Sequence, residues 1–362
     1  MDIKEKLRTL PQVPGVYLMK DSLGGIIYVG KSKNLKNRVS SYFQNIKSRS
    51  PKIEKLIMNL KDFEYITTDT EFEAFMLECR LIKDLKPRYN RLMKNPLSYN
   101  YIKINLGEKY PSIEAVFTED KSEDALYFGP YTSKNTVIKA VEAIKAFYKI
   151  NCTNHYKNNN PCLNYSLGLC IGLCLGDPAV SKQYEAILKK VINLLNGTDK
   201  TLLKEIEEKM LSASEKFDFE AAAKYRDYIG SISYLISNAK TLEFTSENKN
   251  IVMLEALNEN AVKLFLIRKN NVLFSKVFNL TTTNIEQLTE AIQPKIMEHF
   301  NADTFTASDE IAVDELDEAQ IIYSYLKNSC CSHTTIPEEL LIPECKLQLQ
   351  EYISKWLAEN KF

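Results

Sequence analysis

The chain has 362 residues, more than one hydrophobic core usually serves, so two to four compact units are expected. Its 47 Lys and Arg balance 47 Asp and Glu, yet residues 1–110 hold 21 basic against 12 acidic side chains and the remainder 26 against 35, a basic head on an acidic body that suits phosphate binding by the head. No apolar run reaches membrane-spanning length, and the opening Met1-Asp2-Ile3-Lys4-Glu5-Lys6 lacks a signal-peptide core, so a cytoplasmic chain without membrane contact is expected.

In chain order, Gly15 to Lys20 and Ile26 to Gly30 read as a hairpin around Asp21-Ser22-Leu23-Gly24-Gly25. Asn34 opens a helix in which Leu35, Val39 and Tyr42 recur at helical spacing. Asp62 to Thr68 is a third strand. Thr70 then caps a helix with the buried stripe Phe72, Phe75, Met76, Cys79 and Ile82, which Pro87 ends. Residues 1–95 thus form a small α/β unit, followed over 96–180 by a linker and cysteine-rich segment. Residues 99–150 give a strand pair and then Tyr127-Phe128-Gly129-Pro130-Tyr131-Thr132-Ser133, where Gly and Pro predict a sharp turn. Residues 181–240 are strongly helical. The region 241–362 is α/β, with a three-stranded meander over 250–278, turns at Asn258-Glu259-Asn260 and Lys269-Asn270-Asn271, and helices near 284–300, 315–327 and 344–358. The fold class is α+β and multidomain.

The hairpin carries Gly15-Val16-Tyr17 and Tyr28-Val29-Gly30, so two tyrosines stand on neighbouring strands. Gly30 permits close backbone approach, and Lys31 follows in the turn before a helix, where N–H groups and the helix dipole favour a phosphate. Arg38 and Tyr42, four apart, share one helix face, and the planar fork of Arg38 suits a phosphate. Glu78 lies at the margin of the Phe72–Cys79 stripe, where a carboxylate can be semi-buried yet reach a cleft, but its helix also carries Glu71 and Glu73 and an isolated glutamate is usually a solvated face residue, so position alone does not choose among them. With Asn90, these are the parts needed to hydrolyse a phosphodiester with one metal ion.

At these residues the chain resembles the GIY-YIG nuclease family, and the stretch from Leu10 to Tyr42 looks most like its UvrC branch. The resemblance implies that Glu78, ending Glu73-Ala74-Phe75-Met76-Leu77-Glu78, is the ligand of Mg²⁺ or Mn²⁺, and that Asn90 is the active-site asparagine. The implied chemistry is in-line attack by water on phosphorus. Tyr28 acts as base or water-positioner, Tyr17 assists through a hydrogen bond, Arg38 stabilises phosphoryl charge and Tyr42 helps to hold the phosphate. Which tyrosine takes the proton stays open. A phenol of pKa ~10 needs a nearby cation to serve as a base, and Lys31 is the one available in sequence.

Cys152, Cys162, Cys170 and Cys174 cluster in a segment rich in Asn and Gly, and four clustered thiols in a cytoplasmic chain imply a metal rather than disulfides. Spacing leaves zinc and iron–sulfur both open. Pro161 to Cys174 is similar to the UvrC segment, which implies a 4Fe–4S cluster, although Leu169 and Leu173 stand where the family often has a basic residue and proline. Cys79, Cys330, Cys331 and Cys345 lack a metal pattern. Two helices over 203–236 meet at Lys216-Phe217-Asp218, with Asp218 placed to cap the second. The string Phe217 to Asp227 looks like the UVR motif, which implies pairing with a UvrB-like helicase subunit through Phe217, Phe219, Ala222 and Arg226. The same hairpin could instead pack on the chain's own body.

The resemblance is specific over residues 1 to about 240. The meander from Ile251 to Phe278 has no aspartate to found a second carboxylate site. The expected function is a metal-dependent DNA endonuclease of nucleotide excision repair that makes one 3′-side incision in damaged duplex DNA in concert with UvrB, as in the shortened homologue Cho. The alternative is a non-cutting UvrC-like adaptor; a mobile-element or restriction nuclease is disfavoured by the cysteine segment and the hairpin.

Overall fold

The computed structural model describes residues 3–44, 51–90, 100–108, 110–117, 124–152, 160–300, 315–328 and 331–360; Cys330 lies outside them. The chain is α+β and divides into two compact units, Met1–Pro96 with Phe244–Phe362, and Leu97–Glu243.

The first unit begins with α1 (Ile3–Arg8), β1 (Gly15–Lys20), β2 (Ile26–Ser32), α2 (Leu35–Ser41), α3 (Pro51–Asn59), β3 (Asp62–Thr67) and α4 (Glu71–Leu85). The strands form an antiparallel sheet in the order β2-β1-β3. Asn34 caps α2 by accepting from the Asn37 N–H, and Thr70 with Glu73 closes a full capping box on α4. The chain leaves α4 through Lys86 in the left-handed region, one residue before Pro87. Gly15 is obligatory, because a Cβ there would stand 2.3 Å from the Ile66 carbonyl oxygen.

The second unit holds β4 (Asn100–Asn105), β5 (Ser112–Val116), β6 (Ala125–Tyr131), α5 (Lys134–Phe147), α6 (Leu163–Ser166), α7 (Pro178–Leu195), α8 (Thr201–Glu215) and most of α9 (Phe219–Ser246). Its sheet runs β5-β4-β6. The turn expected at Tyr127–Ser133 is instead the end of strand β6, where the pairing with β4 becomes irregular between Asn100 and Ile102. Gly129 and Pro130 therefore break the register of an edge strand rather than reverse the chain. The core joins Ile102, Ile104, Val137, Ile144, Val191 and Leu235.

The chain returns to the first unit with β7 (Asn250–Asn258), β8 (Ala261–Arg268), β9 (Asn271–Asn279), α10 (Ile285–His299), α11 (Leu316–Asn328), β10 (Ser332–Ile336) and α12 (Lys346–Glu359). The expected meander is present, and β10 adds a fourth strand beside β7. One face of this sheet packs on α10 and α12 through Val262, Leu264, Leu266, Ile292 and Ile353. The other face packs Phe265 and Ile267 with Phe72 of α4 and Ile322 of α11. The single stripe expected on α4 is thus two: Ala74 and Ile82 lie against Val16, Leu18 and Val29 of the first sheet, while Phe72 and Met76 face the second. A helix buried on two sides carries more apolar positions than one stripe needs.

Candidate active site and cysteine cluster

The register that places Tyr17 opposite Gly30 also sets Tyr28 diagonally beside it, with ring centroids 6.1 Å apart. Gly30 is the position over which the Tyr17 ring lies; a Cβ there would be 2.4 Å from the phenol oxygen. The Tyr17 and Tyr42 hydroxyls are 3.0 Å apart, the Arg38 Nε donates to the Tyr17 Oη at 3.3 Å, and the guanidinium sits 5.2 Å from the Tyr42 ring centre. Three phenols and one guanidinium from two strands and one helix therefore share a single patch.

Burial pushes the Tyr17 phenol well up, and the neighbouring Tyr42 adds to this. Tyr28 is also raised, first by burial, then by Tyr42 and by the Glu78 carboxylate, against the pull of Arg38. Both are proton donors at neutral pH. The cation facing the phenols is Arg38, not Lys31 as expected. The Lys31 ammonium is engaged elsewhere, 3.1 Å from Glu71 Oε1 and 3.3 Å from the centre of the Phe75 ring.

Lys31 touches the carboxylate through its backbone instead, its N–H donating to Glu78 Oε1 at 3.0 Å. Burial raises the Glu78 carboxyl, opposed by that N–H and by the charges of Lys31 and Arg38. A half-buried carboxylate with one oxygen held by the backbone fits a one-carboxylate Mg²⁺ or Mn²⁺ site, in which the second oxygen would face the cation. Asn90 takes a different position. Its Oδ1 accepts from the Val29 N–H at 2.9 Å and its Nδ2 donates to the Val29 carbonyl at 2.8 Å. The amide is spent on the backbone between Tyr28 and Gly30, so Asn90 holds the strand on which the phenol stands. The sequence marks Glu71 only as a glutamate of this helix and Phe75 only as part of its buried stripe, whereas both fix the Lys31 side chain; helical spacing with Glu78 is the available signal.

The thiols of Cys152, Cys162 and Cys174 all lie within 4.8 Å of one another, and Cys170 belongs to the same buried cluster. Backbone N–H groups point at the sulfurs: Cys162 to Cys174 at 3.3 Å, Tyr165 to Cys162 at 3.3 Å and Gly172 to Cys170 at 3.4 Å. Burial raises the Cys170 thiol, while N–H groups of Gly172 and Leu173 oppose it. Four cysteines gathered with N–H donors around them can hold a thiolate-bound metal.

On the helical hairpin the Asp218 carboxylate accepts from the Ala221 N–H at 3.0 Å, the expected cap. Phe217 and Phe219 are 79% and 65% exposed, which removes them from the core of the unit. Phe219 lines a groove of about 380 Å³ with Met210, Leu211, Ala222, Ala223 and Arg226, so three of the four residues named from sequence, Phe219, Ala222 and Arg226, fall on one open surface, and Phe217 stands beside Phe219 with ring centroids 6.2 Å apart.

Comparison with known proteins places these parts in one family. Residues 13–91 match the UvrC-like GIY-YIG domain, 99–194 the middle domain of the UvrC/Cho excinuclease, and 200–235 the UvrB/UvrC motif. UvrABC system protein C of Acetivibrio thermocellus is 34% identical over 98% of this chain, and that of Clostridioides difficile 36% over 99%. The chain spans 57% and 62% of the lengths of these two relatives. The magnesium-bound GIY-YIG N-terminal endonuclease domain of UvrC from Thermotoga maritima is 38% identical over 25% of this chain and 96% of that one, with a TM-score of 0.23. No helix among the described residues is long and apolar enough to cross a membrane. By sequence and by the order of its parts, the chain belongs to the UvrC-like GIY-YIG family and carries that family's endonuclease domain.

Proposed function

We propose that the chain is a divalent-cation-dependent DNA endonuclease of nucleotide excision repair, acting with a UvrB-like helicase subunit to make one cut on the 3′ side of a lesion. The observation that carries this reading is the patch formed by Tyr17, Tyr28, Tyr42 and Arg38 together with the half-buried Glu78 across the same strand. Glu78 would hold the cation, which when bound supplies Lewis-acid stabilisation of the leaving oxygen. The chain's own groups do the rest. Tyr28, half-buried and protonated at rest, orients the attacking water by hydrogen bonding and can take its proton only where positive charge offsets the burial. Tyr17 holds Tyr42 and the Arg38 fork in place, and Arg38 lies exposed to receive the phosphoryl oxygens. Asn90 fixes β2.

Cys152, Cys162, Cys170 and Cys174 are proposed to carry a 4Fe–4S cluster, supported by the N–H donors to sulfur, with zinc the competing occupant. The exposed Phe217–Phe219 edge is proposed to dock the UvrB-like subunit. Incubating the purified chain with a lesion-bearing duplex, with and without UvrB and Mg²⁺, tests the whole reading. One Mg²⁺-dependent cut 3′ to the lesion is expected; stable binding to UvrB and DNA with no cut under any divalent cation would make the chain an adaptor.

A further inference from the structure

Strand β8 is buried on both faces, and such a strand normally reads as an unbroken apolar run. Val262, Leu264, Phe265, Leu266 and Ile267 obey; Lys263 does not, and its side chain is only 8% exposed. An ammonium leaves water at high cost unless it is paired. Lys263 Nζ lies 2.6 Å from Asp69 Oδ2 and 2.5 Å from Glu73 Oε1, 190 or more positions away in sequence. Burial pulls the ammonium down, and the two carboxylates more than offset it, so it stays charged. Glu73 is the capping-box residue of α4: its Oε2 accepts from the N–H groups of Asp69 and Thr70, while its own N–H donates to Thr70 Oγ1 at 3.1 Å. Lys263 thus clamps the first turn of α4 from a strand outside the nuclease domain.

The same helix carries Glu78, five residues or ~7.5 Å of helix axis further on, and Glu71 and Glu78 both grip Lys31 of β2. A helix is stiff over this length, so fixing its first turn fixes the later one. We propose that Lys263 is a positioning residue of the nuclease site, setting the pose of α4 and with it the place of Glu78. This rests on the reading that Glu78 holds a divalent cation. Electrostatics alone has the opposite sign: deleting the ammonium leaves Asp69 and Glu73 unneutralised, which would draw a cation more strongly.

The test uses the full chain and reads Mn²⁺ binding directly, by electron paramagnetic resonance of free Mn²⁺, beside far-UV circular dichroism. Lys263→Met, which keeps the stem and loses the charge, is expected to fold, because Phe72 still packs on Phe265 and Tyr325 at 5.1 Å each and Lys83 still pairs with Glu318. Its Mn²⁺ affinity should fall about five- to tenfold, at or below the low end of the ~10–100-fold seen when a group touching a ligand is removed. Lys263→Arg should stay within about twofold, since it restores the charge-assisted pairs. Should Lys263→Met not fold, Lys263→Gln likewise removes the ammonium while leaving an amide N–H to donate to one carboxylate, so electrostatics again has the opposite sign and a loss in the same direction is expected. Unchanged or tighter Mn²⁺ binding in whichever variant folds overturns the positioning role. Equal Mn²⁺ binding by the unmodified chain and Glu78→Gln would overturn the cation site itself, and the positioning role with it.

Discussion

Gly30 lies directly beneath the phenol of Tyr17, with room for no other residue: a Cβ would meet Tyr17 Oη at 2.4 Å, Tyr17 Cζ at 2.5 Å and Tyr28 Cε1 at 2.9 Å. The glycine after the second tyrosine is therefore part of the site's geometry, since both rings are shaped around its missing side chain. Gly30→Ala should cost about 1–3 kcal/mol by overpacking and depress cleavage, because the ring that holds Tyr42 and Arg38 must move. Gly230→Ala on α9, where nothing lies within 4 Å, should instead stabilise by up to ~1 kcal/mol. Urea denaturation of both variants checks the opposite signs; equal effects would show that the contact with Tyr17 is not what Gly30 provides.

Glu78→Gln keeps the acceptor for the Lys31 N–H and loses the charge a cation needs. Cleavage should fall by several orders of magnitude with the melting temperature and DNA affinity nearly unchanged. Cleavage at the unmodified rate in ordinary Mg²⁺ would remove Glu78 from the site.

Local signals in the sequence were readable. Asn34, Thr70 and Asp218 cap the helices they precede, and Tyr17, Tyr28, Tyr42 and Arg38 share one patch as the hairpin and the four-residue helical spacing suggest, whereas only the family resemblance singles out Glu78. What sequence could not convey is which distant surface a side chain meets. The α4 stripe reads as one face because nothing local marks Phe72 as a contact of Phe265, and Lys263 reads as an ordinary strand lysine because Glu73 is 190 positions away. Lys31 was the cation nearest the tyrosines in sequence, but its side chain follows Glu71 and Phe75 instead. Strand β10 was missed for the same reason, its five residues finding their partner only on β7.

Anaerobic reconstitution with iron and sulfide should give a brown protein with visible absorption, whereas zinc would give a colourless one. A Cys162→Ser/Cys170→Ser double variant should lose the metal in either case. Stoichiometric zinc without iron, in protein never exposed to air, would settle the cluster as zinc.

Glu255 on β7 offers a pH-dependent test of the α11 packing. Burial raises its carboxyl, against the Tyr325 hydroxyl that donates to Oε1 at 2.5 Å. A carboxyl raised in the folded state binds more protons folded than unfolded, so its contribution to stability is present below the unfolded value of ~4.3 and is lost as pH rises through the folded one. Glu255→Gln removes that loss. Its melting temperature should therefore gain on the unmodified chain as pH rises from about 4 to 7, whatever constant offset the amide brings. A gap independent of pH would show that the carboxyl titrates normally.

Phe219 separates a docking surface from a structural one. It is 65% exposed at the start of α9 and lines the groove with Met210, Leu211 and Arg226, so the chain itself gains little from burying it. Small helical interfaces concentrate their energy in a few aromatic anchors, and truncating one costs ~2 kcal/mol or more, about thirtyfold in affinity. Phe219→Ala should therefore weaken UvrB binding by about that factor while leaving the melting temperature within a degree or so and Mg²⁺-dependent cleavage at high enzyme concentration unaltered. Lys224→Ala, on the solvated side of the same helix, should change the affinity by much less. A core role would give the reverse pattern, a lowered melting temperature with unchanged affinity of the folded fraction. Isothermal titration with UvrB beside differential scanning calorimetry distinguishes the two, and an unaltered dissociation constant for Phe219→Ala would take UvrB off this surface.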